Sequence, residues 1–284
     1  MDSVSHTLRM AHHPPRLNLR KSRKDARDHV LYIAQPTKLP YSVNLFSQNC
    51  PPVYNQGSIG SCTANSSGSM YAWILKSMTN SQLTPSRLYI YYNSRMLEGT
   101  TRVDAGATLR DTMKSLSLYG VCNETIWAYA QNNLFVKPNT ASYAEGSTRK
   151  ALSYASVPIS VSAMQNVLVS RPFVLGIAVY SSFMSLKVAQ TGMVPVPNTQ
   201  TERLLGGHAI LVIGYNNSLN AFLCRNSWGT AWGMGGNFYL PYGYGANPNL
   251  AFDAWVLYSV ENPMSTNVKV KIPVGRKDVK HVAI

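Results

Sequence analysis

Two short runs, centred on Cys62 and His208, hold the side chains that an acyl-bond-cleaving site uses. The first is Gln56-Gly57-Ser58-Ile59-Gly60-Ser61-Cys62-Thr63-Ala64. The second is Gly206-Gly207-His208-Ala209, followed by Arg225-Asn226-Ser227-Trp228-Gly229. A thiolate is the nucleophilic form of cysteine, and a neighbouring imidazole or a helix N-terminus lowers its pKa. Glycines at 57 and 60 let the chain turn tightly before Cys62, which would aim its own N–H into the site. The Gln56 amide could add a second N–H, and two such donors form an oxyanion hole. The carboxamide oxygen of Asn226 could accept the far N–H of His208 and fix its tautomer. Trp228 could then cover that bond. If the two runs meet, the chemistry is nucleophilic catalysis by a Cys-His pair.

The histidine count sharpens this reading. The chain has six histidines, and His208 is the single one between residues 39 and 260. With Cys62 as nucleophile, Cys50, Cys122 and Cys224 remain, an odd number that cannot all pair within the chain. They read as reduced and mostly buried, with a Cys50–Cys122 bridge left open. No CxxC or other zinc-like spacing occurs, so a structural zinc is not expected, and no cofactor is called for.

These residues need a folded body to position them. Of 284 residues, 45% are apolar and 13% charged, a globular composition long enough for a sizeable core. Met70, Trp73 and Ile74 recur at helical spacing behind Cys62 and predict a buried helix over 64–76. Further helices are expected at 85–98, at 109–118 with Gly120 as a left-handed cap, and near 163–170. The pattern then changes. Residues 173–179, 209–215 and 221–224 read as buried strands, and 233–240 as β-structure with tight turns. A helix-rich first half and a strand-rich second half predict an α+β fold.

The motifs resemble those of the papain-like cysteine peptidases. Gln56, Cys62, His208 and Asn226 match that family's oxyanion glutamine, nucleophile, base and orienting asparagine, and the run from Asn226 to Gly233 matches its Asn-Ser-Trp-Gly segment. Cys50-Pro-Pro-Val-Tyr, Gly120 to Glu124 and Asp253-Ala254-Trp255 look more like the compact bacterial branch that includes xylellain. The resemblance spans about residues 39–258 and implies a helical left domain and an antiparallel, barrel-like right domain, with the site in the cleft between them. It also implies peptide or protein substrates. The stretch Asp104-Ala105-Gly106-Ala107 would bond the backbone of an extended peptide, with Gly207 leaving room for its approach. Setting Trp255 against the aromatic near the family's C-terminus places Asp253 at the base of S2, where a carboxylate favours a basic residue. Two departures stand out. Ile59 replaces a disulfide cysteine common in the family, and Thr63 replaces the tryptophan that usually follows the nucleophile.

Charge is concentrated at the ends. Residues 1–38 hold eight Lys and Arg against three Asp, and 260–284 hold five against two acidic residues, within a net charge of +14. Residues 1–38 read as a basic arm or short inhibitory pro-segment, and 259–284 as a basic tail. Either end could attract an anionic ligand. A long helical pro-domain does not fit in 38 residues. Two other functions compete: a non-catalytic protein binding nucleic acid or another polyanion through its basic ends, and an acyltransferase or transglutaminase with the same Cys-His logic. A monomer without a membrane span or signal peptide is expected, cytoplasmic or exported by another route.

Overall fold

The computed structural model describes residues 15–23, 25–31, 38–46 and 50–261. The tail beyond 261 and the first fourteen residues of the arm lie outside the described residues.

Helices dominate the first half. The nucleophile run enters α1 (Cys62–Thr79), with Cys62 as its first residue. The helix extends three residues past the expected end and closes on Asn80 in the left-handed conformation. Next comes α2 (Arg87–Leu97), capped by the Ser86 hydroxyl, which accepts the Tyr89 N–H. It is followed by α3 (Leu109–Tyr119), capped by Thr108 through the Asp111 N–H. Gly120 ends α3 at φ 66 and ψ −152, a glycine-only conformation and not the expected left-handed cap. The reason is steric: a Cβ there would collide with the carbonyls of Gly146 and Arg149. A short α4 (Thr140–Gly146) completes this layer.

Seven strands form one antiparallel sheet: β1 (Ser42–Asn44), β2 (Ala151–Ser156), β3 (Phe173–Tyr180), β4 (Leu204–Asn216), β5 (Ala221–Arg225), β6 (Asn237–Pro241) and β7 (Ala251–Val260). Their order is β2-β7-β3-β4-β5-β6, with β1 on the far part of β4. The sheet stays open, because β2 and β6 do not pair, so the right side is not a closed barrel. Three further helices, α5 (Val161–Leu168), α6 (Leu186–Thr191) and α7 (Tyr242–Gly245), lie between the strands in sequence.

Two cores form. One gathers Met70, Tyr71 and Ile74 of α1 with Leu88 and Tyr91 of α2, Leu109 and Met113 of α3, and Leu211 and Trp255 of the sheet. The other fills the outer side of the sheet with Phe173, Phe183, Val212, Phe222 and Phe238. Both are α+β solutions to burying one face of a sheet. Long β4 contributes alternate residues from 209 to 213 to both cores, so the segment that follows His208 is packed between them. Among the described residues all four cysteines are free, so the Cys50–Cys122 bridge left open by the sequence is not formed.

Described residues of the arm cross this body, extended over 15–23 and turning at 26–28. Asn18 bridges Gly207 in parallel, and Val30 bridges Ser156 of β2. Leu19 is 6% exposed and belongs to the first core.

Candidate active site

Cys62 is the first residue of α1, so its sulfur stands at the positive end of the helix dipole. The helix and β4 bring the two sequence runs together: the thiol lies in hydrogen-bonding reach of the Ala209 N–H, next to His208. His208 sits on β4 opposite Ile177 of β3 and is fully buried. Its Nε2 lies 2.8 Å from the Asn226 side-chain oxygen. That bond makes Nε2 the donor and leaves Nδ1 as the free base, and Nδ1 has no partner in the protein. The Trp228 ring lies over the imidazole at 4.9 Å between centroids. Trp228 in turn packs on Trp232 and Phe183, an apolar wall that keeps water off the His208–Asn226 bond.

Gln56 is buried beside the Asn226 segment. Its side-chain oxygen accepts the Ser227 hydroxyl at 2.7 Å, and its Nε2 donates to the Ile59 carbonyl at 3.0 Å. Its backbone N–H also donates to the Ser227 carbonyl at 2.8 Å. An amide nitrogen has two protons, so one N–H of Gln56 remains for a ligand. Ser227, which sequence reasoning passed over, therefore orients the glutamine. Its signal was its place between Asn226 and Trp228.

A polar network backs α1. Asn65 donates to the Ser61 carbonyl and hydroxyl at 2.9 Å, and Ser61 shares a 2.6 Å bond with the Tyr129 hydroxyl. Tyr129 donates on to the Gln56 carbonyl at 2.9 Å. Arg87 lies under this set, paired with Glu124 at 2.6 Å and stacked on Tyr129 at 3.9 Å. The sequence reading placed Asp104 in the stretch that bonds a substrate backbone but gave its side chain no role. Its carboxylate accepts the Gly60 N–H at 3.0 Å and the Tyr91 hydroxyl at 2.5 Å. It thereby ties the nucleophile loop to the 104–107 segment, close to Ile59, where the departure from a disulfide cysteine was noted.

The arm occupies the cleft in front of these groups. The Leu19 N–H donates to the Gly207 carbonyl at 3.1 Å, and the Arg20 N–H reaches the Ala107 carbonyl at 3.5 Å. The Asn18 amide donates to the Asp104 carbonyl at 3.0 Å. Gly106, at φ 73, would strike the Asn18 carbonyl if it carried a Cβ, and Gly207 would strike the Leu19 carbonyl. Asp253, at φ 52, accepts the Ser22 N–H at 2.5 Å. Each residue that the sequence reading assigned to substrate, Gly106, Ala107, Gly207 and Asp253, is thus met by residues 18–22. Burial pushes the Cys62 thiol up to about 11 and His208 down to about 4. Both groups are neutral across the intervening range.

The described residues contain no group of three or more His, Cys, Asp or Glu arranged to hold a metal. No helix among them is long and apolar enough to cross a membrane.

A cysteine at a helix N-terminus, a histidine on an adjoining strand and a helix-plus-sheet fold define a thiol peptidase of the papain type. The family model described as papain family cysteine protease matches residues 39–254, and the chain belongs to that family. A peptidase C1-like protein of Acanthamoeba polyphaga mimivirus is 39% identical over 223 residues, 75% of this chain and 71% of its own length. The crystal structure of xylellain, a cysteine protease from Xylella fastidiosa, superposes at a TM-score of 0.80 with 33% identity. It covers 86% of this chain and 96% of that one. Digestive procathepsin L 3 of Tenebrio molitor, at 20% identity and a TM-score of 0.66, shares the fold over 83% of this chain and 75% of its own. The chain is therefore a papain-like cysteine peptidase of α+β architecture, acting on peptide or protein substrates.

Proposed function

We propose that this chain is a cysteine endopeptidase working through Cys62, His208, Asn226 and Gln56, and that the described arm residues, 15–23 and 25–31, hold it latent. The observation that carries the catalytic half is the His208–Asn226 bond with Nδ1 left unpartnered, next to an Ala209 N–H that reaches the Cys62 thiol.

Cys62 gives its proton to His208 Nδ1, and the thiolate sulfur bonds to the scissile carbonyl carbon. The resulting oxyanion takes the Cys62 N–H and the free N–H of Gln56. Collapse breaks the C–N bond, and the amine leaves with the proton from His208. Water then gives a proton to His208 and its oxygen bonds to the thioester carbon. The acid departs, and the proton returns to sulfur. Asn226 holds the ring for both transfers, and Trp228 shields their bond.

Latency rests on position and on charge state. The arm covers the backbone groups a substrate would use, and burial of the thiol favours its neutral form over the nucleophilic thiolate. Leu19 anchors it, and burying such a side chain contributes about 1.5–3 kcal/mol.

The test is thiol-dependent hydrolysis of a small peptide panel by the full chain and by Cys62→Ala. Each is measured intact and after cutting, once folded, at a protease site inserted within residues 32–37. Cutting should raise the activity of the Cys62 protein at least about tenfold, as a loss near 1.4 kcal/mol of arm binding implies. No activity from Cys62→Ala is expected in either form. Equal rates before and after the cut refute latency. Transfer to an added amine outpacing hydrolysis would replace the peptidase by an acyltransferase.

A further inference from the structure

We infer that the uncovered cleft selects polypeptide segments rich in arginine and lysine, with Asp104 and Glu98 reading the cationic side chains. The inference rests on the peptidase reading and names its substrate class.

The body between residues 39 and 258 carries thirteen Lys and Arg and seven acidic residues. Against that excess, three of the seven carboxylates, Glu98, Asp104 and Asp253, meet the arm along the cleft. The arm brings its own cations to two of them. Arg16 faces Asp104 at 3.3 Å, and Arg20 pairs with Glu98. The two carboxylates are buried, at 6% and 7% side-chain exposure, while the two arginines are half exposed. Arg16 and Arg20 therefore lie over fixed, desolvated anions.

Each carboxylate is held by the body before any ligand arrives. Asp104 accepts the Gly60 N–H and the Tyr91 hydroxyl, and Glu98 accepts the Thr108 N–H at 2.7 Å. Arg95 lies behind both, but its N–H groups go to the carbonyls of Tyr91, Thr101, Val103 and Leu134. Among the described residues, the ion-pair partners of Asp104 and Glu98 come from the arm alone. Once the arm leaves, two oriented carboxylates face the cleft without a cation. Burying a neutral or acidic side chain against them is disfavoured, whereas an arginine or lysine restores the lost pairs. Asp104 bonds Gly60, two residues before Cys62, so this recognition lies next to the bond to be cut. The argument concerns side-chain positions. It holds whichever way the ligand backbone runs.

The test measures binding, so it does not depend on turnover. The full chain with Cys62→Ala and a cleavable site within residues 32–37 is folded, cut, and separated from its arm. Three fluorescent decapeptides of one sequence, with Arg, Gln or Glu at alternate positions, are titrated at low and high salt. The Arg peptide should bind at least about tenfold tighter than the Gln peptide, and the gap should shrink with salt. Glu98→Gln and Asp104→Asn should each remove severalfold of that preference while leaving Gln-peptide affinity in place. Glu98 is remote from the nucleophile loop, so its variant stands if Asp104→Asn perturbs folding. Equal affinity for the three peptides, or a preference untouched by Glu98→Gln, overturns the inference. Cleavage by the Cys62 protein is scored separately. Cleavage without preference defeats the inference alone, and preference without cleavage supports it while defeating the peptidase reading.

Discussion

Gln56 and Ser227 show how the proposed oxyanion site is built. Ser227 fixes the glutamine oxygen, Ile59 takes one N–H, and the remaining N–H has a single direction left to point. Gln56→Ala should lower kcat by about 10²–10³ with little change in KM, the usual result of deleting one oxyanion donor. Ser227→Ala should be milder, about tenfold in kcat, because it frees the amide without removing it. Steady-state kinetics on the arm-released protein separates the two; a KM effect alone in Gln56→Ala would place the amide in binding. At this scale the sequence was most legible. Cys62, His208, Asn226, Gln56 and Trp228 are announced by residue type and short spacing. The side-chain roles of Ser227 and Asp104 were not, because they are hydrogen bonds to groups 171 and 44 residues away.

Elements place these groups, and their stability depends on buried charge as well as apolar packing. Arg87 stacks between Tyr54 and Tyr129, binds Glu124, and donates to Asn65 on the nucleophile helix. Removing one partner leaves the other ion unpaired in a largely dry site. Glu124→Ala should cost about 3–5 kcal/mol in urea unfolding, and Arg87→Met with Glu124→Leu together should cost less than Glu124→Ala alone. A double variant as unstable as the single one would reject that account. Helices α1, α2 and α3 were legible in the sequence, but the left-handed cap expected at Gly120 was not found. Strand β7 was not legible. It faces two neighbours, β2 and β3, with irregular register and the left-handed Asp253, so its apolar residues do not alternate. The arm gave no periodic signal either, since the carbonyls of Gly207, Ala107 and Ser156 hold it and not its own pattern.

At the scale of the whole molecule, the protonation of the proposed catalytic pair depends on what buries it. His208 is held down to about 4 from an ordinary 6.5, with burial as the cause and the Asn226 bond opposing it. A histidine depressed in the folded state binds fewer protons there than when unfolded. Its stabilising contribution is therefore full above about 6.5 and is lost as pH falls toward 4. The span corresponds to about 3 kcal/mol at most. Glu98 and Asp253 act in the opposite sense, because burial raises their pKa values and favours the folded state in acid. The histidine must accordingly be isolated by difference. In a Cys62→Ala background, the stability of the chain minus that of its His208→Gln variant should rise between pH 4 and 6.5. A flat difference would show that His208 is not desolvated in solution. The arm lies against Gly207, next to His208, so cutting it should move the His208 titration upward, toward 6.5, as read from its imidazole NMR signals. An unchanged titration after the arm is removed would mean that Trp228 and the sheet bury the ring by themselves. The arm would then block the cleft without setting the charge state of the pair.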